Sequence, residues 1–179
     1  MSEKNSLIQA STEDSTFVAA EYGALRDEIV KRLEFRYQII NLDLVVAGTF
    51  LTVGVQANMP ASVLLVYPVL ASFLIAAWAY NGAATLRIAQ YIRESIEPRA
   101  AGLGWETYLR GQAPQLPRPY GLLGPISTAG LVLTTQLLAI ILALLKGNFT
   151  TVEVVLTACS VASVVFTLLV LRYATRLRR

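Results

Sequence analysis

Residues 61–84 read ASVLLVYPVLASFLIAAWAYNGAA, a run without a single charged side chain. As a helix it would rise about 36 Å, more than the roughly 30 Å of a bilayer's hydrocarbon core. A soluble core has no use for an apolar helix of that length. In lipid the backbone must satisfy its own hydrogen bonds, and a continuous helix does so. Three more runs follow the same pattern, at about 39–57, 122–145 and 152–171. The composition agrees. Of 179 residues, 55% are hydrophobic and 15% are charged, where a soluble domain carries about 25% charged residues. The fold class expected is an all-α membrane protein whose four transmembrane helices form two antiparallel hairpins.

Charge sets the expected orientation. Lys4, Arg26, Lys31, Arg32 and Arg36 precede the first run. Arg87, Arg93, Arg99, Arg110 and Arg118 separate the second from the third, and Arg172, Arg176, Arg178 and Arg179 follow the fourth. Of the 15 basic residues only Lys146 falls on the other side. Cytoplasmic loops carry the excess of Lys and Arg. The expected location is therefore the cell membrane, with both termini and the long middle loop cytoplasmic. Three or five spans would scatter the arginines onto both faces.

Residues 1–14 are polar and read as a disordered tail, and 15–179 as one four-span domain. Within it, 15–37 reads as an amphipathic cytoplasmic helix. Val18, Tyr22, Leu25, Ile29 and Leu33 recur every three or four positions, which keeps them on one face. No proline separates this helix from the first span, so the two are expected to be continuous. The second span also has reason to continue outward. Ile88, Ile92 and Ile96 share a face in need of a partner, and Pro98 should end the helix. Residues 99–121 form a cytoplasmic loop in which Trp105, Tyr108 and Leu109 suggest a short turn lying on the membrane surface.

Several chemistries find no residues. The chain has no histidine and one cysteine, Cys159. Ser-His-Asp and Cys-His triads, zinc sites that need histidine and an intramolecular disulfide are excluded. There is no GxSxG, no glycine-rich phosphate loop and no paired-carboxylate motif within a span. No catalytic residue, metal or cofactor is expected. The Asn148 sequon sits too near the membrane ends to be convincing. The basic face reads as a topology signal that also touches anionic lipid headgroups. No nucleic-acid partner is expected, because no nucleic-acid-binding fold accompanies the charge. No motif carries a family resemblance.

Two polar features remain inside the spans. Asp43 falls about one turn inside the cytoplasmic edge of the first span, where a carboxylate needs a partner. Tyr80 and Asn81 read as lying at a similar depth. Arg87 and Arg172 are the cationic candidates. Nearer the midplane, Thr49, Thr52, Thr134, Thr135, Gln136, Ser160 and Ser163 form a polar layer. It reads either as interhelical glue or, with Asp43 and Asn81, as an ion path through an oligomer. The function expected is that of a small non-enzymatic membrane protein. It would be oligomeric, or the membrane subunit or scaffold of an assembly with membrane or cytoplasmic partners. The alternatives are an oligomeric pore and, more weakly, a proton-linked small-molecule transporter using Asp43.

Overall fold

The structure is a computed structural model. It describes residues 2–100, 102–112, 118–147 and 150–176, with side chains from 15 onward and, in the fourth helix, from 126. The described residues form five helices and no strand: α1 (Ser2–Gly54), α2 (Ser62–Tyr91), α3 (Trp105–Gln112), α4 (Arg118–Leu145) and α5 (Thr151–Arg176). Four of them, all but α3, are long and apolar enough to cross a membrane. The Asn148 sequon, residues 113–117 and the terminal Arg178 and Arg179 lie outside the described residues.

α1 is unbroken from the amphipathic segment into the first apolar run. Its backbone is helical from Ser2, where the sequence reading expected a disordered tail up to residue 14. Extending an existing helix adds a hydrogen bond per residue and needs no new nucleus, and no proline interrupts residues 2–54. α2 passes through Pro68 without interruption. It then loosens into a π turn at Ile92–Ile96 and a 3₁₀ turn at Glu97–Arg99, which holds Pro98 near its start.

α1 and α2 run antiparallel. Leu64 lies beside Gly54 so closely that a Cβ there would sit 2.5 Å from its side chain. Farther along, Arg36 stacks over Trp78 at 4.1 Å, and Glu21 accepts a hydrogen bond from the Tyr91 hydroxyl. α2 is the central helix. In its most apolar window 44% of residues are buried, against 22–28% in the other three. α5 packs chiefly on α2 rather than on its hairpin neighbour α4.

The core has three parts. The largest joins Ile39 and Ala47 of α1, Tyr67, Ala71, Ile75 and Trp78 of α2, Val132 and Ala139 of α4, and Leu171 of α5. A smaller cluster of Ala61, Leu64, Leu65 and Ala143 closes the Lys146 end. The third lies beyond the apolar runs. There Val18 and Ile29, with Tyr22 and Leu25, cover Ile92 and Ile96. The amphipathic face of 15–37 thus finds the isoleucine face of the extended α2, and only Leu33 is left largely outside at 38% exposure.

Candidate functional site

Asp43 is 1% exposed and lies in the middle of the bundle. Its polar neighbour is Tyr67 of α2, whose hydroxyl is 3.4 and 3.5 Å from the two carboxylate oxygens. The same hydroxyl is 2.6 Å from Oγ1 of Thr135 on α4. Thr135 in turn can donate to the carbonyls of Leu131 and Val132, at 3.1 and 3.0 Å. Each hydroxyl carries one proton. If Thr135 donates to Tyr67, the Tyr67 proton is released to Asp43. If Thr135 donates to its own backbone, Tyr67 donates to Thr135 and Asp43 loses its bond. The three side chains form a short hydrogen-bonded chain whose two hydroxyl protons can be arranged in these two ways.

This placement corrects the expected neighbours of Asp43. Asn81 donates to the Ala77 carbonyl of its own helix, and Tyr80 is 63% exposed. Asn81 lies fourteen positions along α2 from Tyr67, about 21 Å of helix rise. Neither Arg87 nor Arg172 forms a salt bridge with Asp43, and no described residue does. The level of Asp43 along α2 was counted from the end of the apolar run of α1. The pairing with α2 fixes it instead.

The rest of the polar layer divides by direction. Thr49, Thr52 and Thr134 face outward. Gln136, Ser160, Ser163 and Thr167 are buried. Gln136 Nε2 donates to the carbonyl of Pro68 and to Thr167 Oγ1, both at 3.1 Å. Ser160 Oγ lies 2.7 Å from the Leu65 carbonyl and 2.8 Å from that of Leu156. Proline has no N–H to give the Leu64 carbonyl four residues back; the side chains from α4 and α5 meet the neighbouring Leu65 and Pro68 carbonyls instead. Gln136 Oε1 is buried with no hydrogen-bond partner.

Two other buried carboxylates are structural. Glu153 Oε2 accepts from Thr150 N at 2.9 Å while Thr150 Oγ1 faces Glu153 N, the reciprocal capping box of Thr-x-x-Glu. Its Oε1 accepts from Ala61 N, so one side chain serves the starts of both α5 and α2. Lys146 Nζ completes that end by donating to the carbonyls of Gln56 and Met59. Glu97, at the other end and outside the apolar runs, accepts from the backbone N–H groups of Glu106 and Thr107 and from the Thr107 hydroxyl. These are the free donors at the start of α3. Burial pushes the Glu97 carboxyl up, but those hydrogen bonds and the nearby Arg26 outweigh it and hold it below its ordinary value. Arg26 also bonds Glu106 at 2.7 Å.

Tyr67, Thr167 and Glu153 were not singled out from sequence, and Glu97 only as an i,i+4 neighbour of Arg93, which pairs with Glu94 instead. The signals existed for two of them. A tyrosine within an apolar span needs a partner for its hydroxyl, and Thr150-x-x-Glu153 is a capping box before an apolar run. Among the described residues no three His, Cys, Asp or Glu side chains gather to hold a metal. Comparison with protein-family models, curated proteins and solved structures finds no match.

Proposed function

We propose that the chain is a non-enzymatic four-span membrane scaffold, with both termini and the 99–121 segment in the cytoplasm, where it presents a rigid helical stub to a protein partner. The observation that carries this reading is where the polar groups point. Gln136 bonds Thr167 and the Pro68 carbonyl, and Ser160 bonds the Leu65 carbonyl, all within one chain. A pore would leave such groups facing a lumen. The stub is held by an apolar cluster, by Glu97 and by Arg26–Glu106. Glu97 lies thirteen residues past Ala84, about 20 Å of helix rise, whereas a headgroup layer adds only about 5–8 Å. On this reading α3 stands in water, and Trp105 and Tyr108, stacked at 6.1 Å and more than half exposed, form a protein-docking patch rather than a membrane anchor.

Reconstituted liposomes test this reading. They should pass neither ions nor protons above the protein-free rate. A conductance abolished by Gln136→Leu would overturn the scaffold in favour of an oligomeric pore. On the partner side, a photo-crosslinker at Trp105 in cells should trap a discrete protein adduct that Tyr108→Ala removes, with thermal stability unchanged.

A second reading is favoured by one observation, the buried Asp43 with its single long hydrogen bond to Tyr67. On this reading Asp43, Tyr67 and Thr135 carry a proton in exchange for a small molecule. Its mark would be proton uptake into liposomes that Asp43→Asn abolishes while the protein remains folded.

A further inference from the structure

A groove of about 670 Å³ runs between α2 and α5 toward the arginine-rich end. Ala76, Ala79 and Ala83 form one wall and Phe166 and Leu169 the other. Three alanines on one face of α2 leave a channel that larger side chains would close. At the mouth stand Arg87, Tyr80 and Tyr173. Arg87 is exposed and makes no salt bridge or hydrogen bond to a described residue, and neither phenol does. Gln90 also lines the mouth but is tied to Glu94, whose carboxylate is paired with Arg93. The last turns of α5 add Arg172 and Arg176 and no acid.

The dimensions fit one kind of occupant. From Ala76 to Gln90 the groove follows about 21 Å of α2, enough for much of an acyl chain and its headgroup. Arg87 lies three residues past Ala84, about 5 Å beyond the apolar run and therefore at headgroup depth. Tyrosines are enriched at that depth, with the ring in the apolar zone and the hydroxyl toward the headgroups. Basic pockets between helices on the cytoplasmic side suit anionic headgroups.

We infer that this groove binds an anionic phospholipid, one acyl chain lying along the alanine face of α2 and the phosphate meeting Arg87 between Tyr80 and Tyr173. The inference rests on the helices being membrane spans and is independent of whether the protein is a scaffold or a transporter.

The test is native mass spectrometry of the full chain released from nanodiscs of phosphatidylcholine mixed equally with phosphatidylglycerol. Wild type should retain phosphatidylglycerol over phosphatidylcholine by about fivefold, the effect of one well-placed cation. Arg87→Gln should bring the ratio near one, and Arg87→Lys should keep most of it. Ala79→Trp should remove retained lipid of both kinds, and Arg110→Gln, on exposed α3, should change nothing. Equal retention of the two lipids by wild type overturns the proposal, and so does a preference indifferent to Arg87→Gln. A crosslink between two copies through Phe166 overturns it as well, since a second chain would then fill the groove. Alkaline extraction of membranes separates the underlying reading. A chain that washes off is not membrane-spanning, whereas one that stays but shows no lipid preference sinks the groove alone.

Discussion

Glu97 and Asp43 are both buried acids, at 7% and 1% exposure, and they are held in opposite ways. Glu97 receives two backbone N–H groups and a hydroxyl at the start of α3, with Arg26 close by. Asp43 has one long hydrogen bond, from a tyrosine that Thr135 also claims. Glu153 belongs with Glu97, since it too accepts from helix N-terminal amides. The difference separates anchors from something else. A carboxylate placed for stability collects donors until its lone pairs are filled. A carboxylate left short of donors lowers stability.

The largest effect is expected where the anchor is removed. Glu97→Ala should weaken the docking of α3 by about 2 kcal/mol, the loss of a cap plus stranded buried donors. Hydrogen exchange across 105–112 should accelerate while the apolar parts of α1, α2, α4 and α5 exchange as before. Unchanged exchange would show that the clamp does not hold α3. The same carboxylate sets a pH dependence. Its folded pKa lies below the ordinary 4.5, so its contribution is complete above that pH and is lost as the pH falls toward the folded value. Trp105 fluorescence should therefore be flat through neutral pH and change only in acid.

Inside the bundle the effects shrink. Gln136→Leu removes two interhelical bonds, which in membranes average about 0.6 and reach about 1.7 kcal/mol each, and it also removes the orphaned Oε1. A net loss near 1 kcal/mol is expected in a refolding titration from mixed micelles. Tyr67→Phe should cost about 0.5 kcal/mol, because Thr135 keeps its backbone acceptors. Asp43→Asn should cost nothing, or should raise the melting temperature, since a buried carboxyl short of donors is replaced by an amide that carries its own. A loss as large as that of Glu97→Ala would erase the distinction between the two acids.

The four long helices were legible because apolar length alone determines them. The apolar faces of 15–37 and of Ile88, Ile92 and Ile96 were legible from their helical spacing, but that they meet each other was not. The partner of Asp43 was not. Depth in an antiparallel pair depends on register, and register is set by contacts such as Gly54 with Leu64 that no single helix contains. A one-dimensional count placed Asp43 near Asn81 and passed over Tyr67. The polar layer was legible as composition only. Thr134 and Thr135 are adjacent, yet Thr134 faces out while Thr135 bonds Tyr67, and only helix rotation decides which. The Glu97 clamp escaped notice because its acceptor and donors belong to different elements, joined by a loop whose path the sequence leaves open.

The clasp around Pro68 has a consequence for how the chain is made. Synthesis delivers α2 to the bilayer before Gln136 and Ser160 exist. Until the second half leaves the ribosome, the backbone beside Pro68 lacks the amide and hydroxyl that later meet it, and it faces lipid in a form the finished protein never shows. The half-made chain therefore carries a mark of its incompleteness at its own centre, open to any surveillance that recognises exposed polar backbone. A chain truncated after Gln112 should be degraded faster than the full-length protein.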